Sequence, residues 1–369
     1  MRIAYLLTRS DTIGGSHIHV RDLGVALMKL GHEVYIIIGG NGPIVDHLES
    51  FGLEVIAIPE MKRNISPFSD LKSYFNITDK LRSLDPDIIS AHSSKAGFIG
   101  RLAARNLSIP VLFTAHGWSF TSGKSIVARM LYKYLEKVAT VFTDFIITVS
   151  DYDKTLALNH LSVKGDKLKT IHNGMKDVDP GLFAKPGKAG IVNIIKVARF
   201  DQQKNHAGLL HAVSGLTNIK LHFVGDGPLL KDVKELADSL GISGSIKYYG
   251  RIEHVEKVLA EGQVFVLVSN WEGFPRSTVE AMRAGLPVVV SNVGGAAEAV
   301  KNGVSGFVVE KNDIKKLRYV IKQLVDDPDL RTKMGKASRN HYEEHLTFDR
   351  MFSETVDIYK KLLGDIDGA

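Results

Sequence analysis

The chain has 369 residues, 44% of them apolar by type, and its 47 Lys and Arg outnumber 41 Asp and Glu for a formal net charge of +6. That length exceeds what one hydrophobic core supports, so two domains are expected, and the absence of cysteine excludes disulfides, thiolate catalysis and cysteine-ligated zinc. No apolar run approaches bilayer-spanning length, and no basic, apolar leader opens the chain, so a cytoplasmic protein is expected.

Short apolar runs at 2–7, 33–38, 54–58, 88–91, 111–114 and 145–149 alternate with helical patterns, the rhythm of repeated βαβ units. The first run leads into Gly14 and Gly15 and then a helix beginning near Ser16. Glycines let backbone approach a ligand closely, and a helix N-terminus offers N–H groups to an anion. The loop is not G-x-G-x-x-G, which argues against a dehydrogenase; the competing reading is a plain tight turn. The run at 111–114 ends on His116. A histidine after a strand is more often structural than functional, and His17, His19, His92 and His172 have weaker claims still.

Residues 88–137 contain seven Lys and Arg and one acid, Glu136, a local net charge of +6. With no helix-turn-helix or RNA-binding motif and no interleaved aromatics, nucleic acid is not expected as a partner. An anionic membrane surface or an anionic lipid-linked acceptor fits better. Within 125–138, Arg129, Lys133 and Lys137 recur every four residues beside Ile126, Val127, Met130, Leu131 and Leu135, the layout of a helix lying in a membrane interface. The competing reading is a solvated face over a buried apolar stripe.

Residues 174–190 hold two prolines, four glycines and few apolar side chains, and read as a linker. The strand rhythm then restarts at 192–197, 220–224, 246–249, 264–268, 288–290 and 306–309. Arg199 follows the first of these runs directly and Lys204 lies five residues on; two cations at a strand outlet suit a leaving diphosphate, though loop cations are usually just solvated. After 264–268 comes Glu272-Gly-Phe-Pro-Arg-Ser-Thr-Val-Glu280, two carboxylates eight positions apart across a loop-to-helix junction. Open α/β sheets bind ligands at such outlets. For Glu280 the competing reading is a capping box with Ser277 as N-cap. A last helix near 351–363 follows a break at 345–348.

Three Asp-x-Asp pairs are candidate metal ligands. Asp85 and Asp87 precede their strand, Asp151 and Asp153 have no third ligand at suitable spacing, and Asp177 and Asp179 fall in the linker. No metal and no cofactor are expected.

The segment from Glu272 to Glu280 resembles the E-x7-E motif of the retaining glycosyltransferases of family 4. Thr12-Ile-Gly-Gly15, His116-Gly117, Asn173-Gly174, Arg199 with Lys204, Gly225-Asp-Gly-Pro228 and Gly294-Gly-Ala-Ala-Glu298 follow in the order of that family, so the resemblance covers essentially the whole chain. Ala198 and Asn205 depart slightly from the commonest pattern without touching the charges. The resemblance implies an α/β chain of the GT-B class, two Rossmann-like doubly wound domains facing each other across a cleft. It implies an acceptor domain over 1–174, a linker at 175–190, a nucleotide-sugar domain over 191–347 and a final segment 348–369 crossing back to the first domain. It implies metal-independent transfer of a sugar, with retention, from a nucleotide-sugar, a UDP-sugar by family frequency, to a saccharide or lipid-linked saccharide in surface polysaccharide assembly. Glu280 would bind the ribose hydroxyls and Arg199 and Lys204 the diphosphate. Glu272, with Gly273, Phe274 and Pro275, would orient the sugar, and His116 with Gly14 and Gly15 would complete the site. Two alternatives remain: a GT-B UDP-sugar epimerase and a non-catalytic nucleotide-sugar binding protein.

Overall fold

Apolar runs with no polar face pair stably only inside a sheet covered on both sides, and parallel sheets are built from such runs. The computed structural model describes residues 1–364 apart from positions 63 and 122; residues 365–369, the end of the expected segment 348–369, lie outside the described residues. The chain divides into two units, one formed by Met1–His172 with the residues from Phe352 onward, the other by Asn173–Met351.

In the first unit the order is β1 (Arg2–Leu7), α1 (Gly15–Lys29), β2 (Glu33–Gly39), α2 (Pro43–Glu49), β3 (Glu54–Ile58), α3 (Pro67–Leu84) and β4 (Ile88–Ala91). It continues through α4 (Ser94–Leu107), β5 (Val111–Ala115), α5 (Ile126–Ala139), β6 (Phe145–Thr148), α6 (Asp151–His160) and β7 (Leu168–Thr170). Among the described residues these strands form one parallel seven-stranded sheet in the order β3-β2-β1-β4-β5-β6-β7. Every residue of β4, β5 and β6 is buried, as their unbroken apolar runs require. The strand not foreseen is β7, three residues of sequence Leu-Lys-Thr on the sheet edge. It is too short and too polar to stand out as an apolar run.

The second unit repeats the plan with β8 (Val192–Val197), α7 (His206–Val213), β9 (Ile219–Val224), α8 (Leu230–Ser239), β10 (Ile246–Gly250) and α9 (Val255–Ala260). Then follow β11 (Val264–Leu267), α10 (Arg276–Arg283), β12 (Val288–Ser291), β13 (Gly306–Val309), α11 (Ile314–Asp326) and α12 (Pro328–His345). Its sheet, again parallel, has the order β10-β9-β8-β11-β12-β13 among the described residues. The last helix, α13 (Phe348–Leu363), starts in this unit and belongs to the first from Phe352. There Tyr359 is fully buried and its hydroxyl lies 3.0 Å from that of Tyr5 on β1.

One helix departs from ordinary amphipathic packing. On α5 only Glu136 and Ala139 are buried, whereas Ile126, Val127, Met130, Leu131 and Tyr134 are exposed. Of its apolar residues only Ala139 is buried, while Tyr132 packs part-buried against the core, and a charge pair joins α5 to α4. Arg101 Nη2 donates to Glu136 Oε2 at 2.7 Å, with both side chains almost wholly buried. The Arg101 guanidinium also stacks 4.2 Å from the centre of the Phe113 ring and donates through Nε to the Gly97 carbonyl.

Candidate functional site

In the second sheet the strand order reverses between β8 and β11, the point where open α/β sheets leave a crevice at their carboxyl ends. The loops leaving these two strands carry Arg199, Lys204 and Glu272. Arg199 is half-exposed, with Nε 3.9 Å from Asp201 Oδ2. Asp201 also accepts from the Lys204 backbone N–H and so opens the short 3-10 turn Gln202–Lys204. That turn carries the Lys204 ammonium to 2.6 Å from Glu272 Oε1. The Glu272 side chain is only 4% exposed, and its other oxygen accepts from Gln203 Nε2 at 3.2 Å. Lys204 and Glu272, read from sequence as separate contacts to a donor, therefore form a pair. The ammonium has three protons to donate and Glu272 takes one.

The backbone around Glu272 is held from several sides. Gln203 Nε2 also donates to the Trp271 carbonyl, and Asn173 Nδ2 donates to the Phe274 carbonyl at 2.8 Å, which gives Asn173-Gly174 a supporting role. Gly294 has φ +55, and a Cβ there would lie 1.9 Å from the Glu272 carbonyl oxygen, so only glycine lets this loop pass. Gly273 is half-buried, Phe274 and Pro275 are buried, and α10 begins at Arg276 with Pro275 as N-cap and no side-chain cap. Ser277 is thus inside the first turn, and the capping box considered for Glu280 is not formed. Glu280 lies half-buried on α10.

The first sheet reverses between β1 and β4. Thr8 and Ser93, just beyond these strands, join their hydroxyls at 2.6 Å. Gly14 caps α1 with extended φ of −128, and a Cβ there would meet nothing closer than 3.6 Å. Neither backbone strain nor packing inside the chain demands glycine at Gly14. His17 fixes this loop: its Nε2 lies 2.7 Å from the Arg9 carbonyl and its Nδ1 accepts from the Gly14 N–H, while burial lowers its pKa and keeps it neutral.

His116 follows β5 and is half-buried. Its Nε2 lies 3.0 Å from Nδ1 of His92, whose Nε2 lies 2.9 Å from the Ser90 hydroxyl. Ser90 accepts in turn from Tyr359 at 3.2 Å. Burial, and then His116, push the His92 pKa well down, so His92 is neutral and carries one proton. Tyr359, Ser90, His92 and His116 thus stand in one hydrogen-bonded line. In sequence His92 has a weaker claim than His116, as a structural or peripheral residue. The available signal was that His92 and His116 both stand just past adjacent parallel strands. Nitrogens of His19, His92 and His116 also lie within 4.8 Å of one another, a spacing that a metal ion could bridge. Asp-x-Asp spacing gives no sign of this cluster.

Residues 13–177 match Glycosyltransferase Family 4 and residues 183–341 match Glycosyl transferases group 1. An Escherichia coli protein named UDP-Gal:alpha-D-GlcNAc-diphosphoundecaprenol alpha-1,3-galactosyltransferase is 30% identical over 344 residues, covering 89% of this chain and 88% of that one. The chain belongs to glycosyltransferase family 4. The Staphylococcus aureus capsular polysaccharide biosynthesis glycosyltransferase CapM is 28% identical to this family 4 glycosyltransferase over 361 residues, covering 93% of each. Anabaena HepE, solved in complex with UDP and glucose, superposes with a TM-score of 0.85 at 19% identity over 98% of this chain and 100% of its own. The glycosyltransferase thus has the GT-B fold of two Rossmann-like domains.

Members of the three Asp-x-Asp pairs make contacts within the glycosyltransferase. Asp87 accepts from the Arg2 N–H, Asp153 from the Ser150 hydroxyl, and Asp177 binds Arg339 through both oxygens. Lys196, a lysine inside the apolar run 192–197, is a signal the motif pattern does not contain. Its ammonium is buried and donates to the carbonyls of Lys204 at 2.5 Å and Val268 at 3.0 Å, tying together the two loops that carry Lys204 and Glu272. Burial, and then the charge of Lys204, push its pKa down from the ordinary 10.5 to about 7.

Because the folded pKa lies below the unfolded one, the cost of burying the charge is fully present below about pH 7 and is relieved as pH rises towards 10.5. The neutral amine can still donate both hydrogen bonds. Relative to Lys196→Met, the parent should gain stability over that window, with a slope approaching about 1.4 kcal/mol per pH unit. Urea unfolding across the range checks this, and identical slopes for parent and variant would sink it.

Proposed function

We propose that this glycosyltransferase moves a sugar, with retention and without metal, from a UDP-sugar to a lipid-linked saccharide during surface polysaccharide assembly. The observation that carries the reading is the buried Glu272 carboxylate paired with Lys204 at the reversal point of the second sheet. Support for the donor and acceptor classes comes from the Escherichia coli relative, whose name specifies UDP-Gal and a diphosphoundecaprenol acceptor. HepE, solved with UDP, adds to the donor argument.

In this reading the second unit takes the donor and the first the acceptor, with domain limits of 1–174 and 191–347, a linker at 175–190 and the segment 348–369 returning to the first. Glu280 binds the ribose hydroxyls. Arg199 and the two remaining protons of Lys204 meet the diphosphate, whose charge grows as the bond from its oxygen to the anomeric carbon breaks. Glu272, with Gly273, Phe274 and Pro275, orients the sugar; the Lys204 contact at 2.6 Å holds its carboxylate in place. The acceptor hydroxyl attacks from the face that UDP leaves, its oxygen bonds to the anomeric carbon, and its proton passes to the departing phosphate oxygen. No protein nucleophile is needed. His116, with Nε2 engaged by His92, contacts the sugar or acceptor beside Gly14 and Gly15.

These roles separate in measurement. Glu280→Ala should weaken UDP by about 1.5–3 kcal/mol, the worth of a hydrogen bond to a charged group. Arg199→Ala and Lys204→Ala should lose turnover more than donor affinity, because their partner charges up only as the sugar leaves. Glu272→Ala should bind UDP almost normally and transfer sugar very poorly. Calorimetric titration of UDP beside initial rates decides, and a parental rate for Glu272→Ala would remove the central claim.

Transfer is expected to survive chelation, since the cations at the β8 outlet supply the charge that a metal would. Loss of activity in EDTA, restored by a divalent ion, would instead make His19, His92 and His116 the first ligands to test.

The exposed apolar residues and cations of α5 support docking on an anionic membrane surface. Among the described residues no helix is long and apolar enough to cross a membrane. Charge reversal at Arg129, Lys133 and Lys137 should release the protein from anionic vesicles at low salt. Unchanged co-sedimentation would exclude α5 as the contact.

A further inference from the structure

His19 takes no part in the transfer proposed above, yet it shares a small volume with two histidines that the first sheet brings to the same edge. It lies early in α1, the helix that follows β1, while His92 directly follows β4 and His116 directly follows β5. Because the sheet order runs β1-β4-β5, the three strand outlets are neighbours. The ring centres are 5.0 Å apart for His19 and His116, 5.3 Å for His92 and His116, and 5.5 Å for His19 and His92. The rings therefore stand at the corners of a nearly equilateral triangle, with a nitrogen of each within 4.8 Å of the others. His19 and His92 are buried, and the half-buried His116 is the ring that solvent reaches.

Imidazoles on a tetrahedral ion, with metal–nitrogen bonds of about 2.0–2.1 Å, have ring centres roughly 5 Å apart. All three sides of the triangle are of that size. His92 also has the outer partner of a metal-bound imidazole. Its Nδ1 faces His116 while its Nε2 lies 2.9 Å from the Ser90 hydroxyl, and a ligating histidine donates its second N–H to such an oxygen. Ser90 is held in turn by Tyr359. The plain alternative is the hydrogen bond between His92 and His116 at 3.0 Å, which engages two of the rings and needs a proton between their nitrogens. An ion in that place engages all three, with the shared proton carried to the far nitrogen of its ring. Three neutral nitrogen donors select zinc, nickel or copper over magnesium and calcium, which take oxygen. One position of the tetrahedron is left for water or another oxygen ligand. The positive end of α1 works against a bound cation, which favours reversible occupancy over a permanent structural ion.

We propose that His19, His92 and His116 form a reversible site for a divalent ion of the zinc class, and that the ion inhibits transfer by tying up His116. The inhibition rests on His116 contacting the sugar or acceptor as proposed above, whereas the site stands on the three rings alone. The ion blocks the reaction and has no part in its chemistry.

Calorimetric titration of the chelator-treated full chain with zinc tests the site. One equivalent should bind, and magnesium should give no binding heat. Cobalt in place of zinc should show the intense visible bands of a four-coordinate ion, a readout that needs no variant. His19→Gln should weaken zinc by more than the roughly ten- to hundredfold that loss of an outer partner costs, and Ser90→Ala should weaken it within that range. Circular dichroism melting checks that both variants fold. In rate measurements zinc should inhibit the parent, EDTA should restore it, and His19→Gln should transfer at the parental rate with or without zinc. Absence of zinc uptake, uptake unchanged in His19→Gln, or the pale spectrum of a six-coordinate cobalt ion would overturn the site. Equal inhibition of parent and His19→Gln would place the effect at other ligands and overturn the inhibitory role. Zinc bound through these residues with no effect on transfer would keep the site and remove His116 as a contact to sugar or acceptor. Transfer that requires zinc would overturn the inhibition together with the metal-free reading.

Discussion

A parallel sheet buried on both faces leaves polar chemistry one way out, at the carboxyl ends of its strands. In the second unit the two neighbouring ends at the reversal of strand order carry opposite charges, Lys204 on the β8 loop and Glu272 on the β11 loop. Their separation depends on Lys196, whose ammonium sits beneath both loops and binds one carbonyl from each. A buried lysine is costly, and only because its protons meet backbone carbonyls does the arrangement hold. The Gly294 loop closes over the Glu272 backbone at a distance no side chain tolerates. Charge pair, buried lysine and glycine contact thus constrain one small volume.

Legibility in the sequence followed how local each signal was. Twelve of the strands were apolar runs visible without any partner; β7 was missed because Leu168, Lys169 and Thr170 gain their strand character only from pairing with β6. Glu272, Lys204 and Arg199 could be singled out because each stands just after an apolar run. That Lys204 would reach Glu272 could not be read, since it depends on β8 and β11 being neighbours although 66 residues separate Val197 from Val264. The same holds for His92 and His116, brought together by the pairing of β4 with β5. Ser277 misled in the other direction. Its spacing to Glu280 fits a capping box, but the helix starts two residues earlier, with Pro275 rather than Ser277 as N-cap.

The two charge pairs differ in consequence. Arg101–Glu136 is wholly enclosed and makes further contacts to Phe113 and Gly97, so it acts as a strut between α4 and α5. Truncating either partner would strand a buried charge, a loss of about 3–5 kcal/mol in comparable pairs. Lys204–Glu272 lies at a loop junction with Lys204 still 17% exposed, so its ammonium keeps access to a second anion. One pair fixes a scaffold and the other keeps a carboxylate ready.

The hydroxyl of Tyr359 reaches Tyr5 on the first strand and Ser90 on the fourth, and through Ser90 the line of hydrogen bonds runs to His92 and His116. Chains emerge from the ribosome N-terminus first, and their domains generally fold as they appear. Here the unit begun by the first strands takes one of its buried side chains from a helix that follows the whole second unit in sequence. A nascent chain therefore has every strand of its first sheet available for pairing while the tyrosine that donates to Ser90 is still unsynthesised, so the line from Ser90 to His116 is completed only after the second unit has been made.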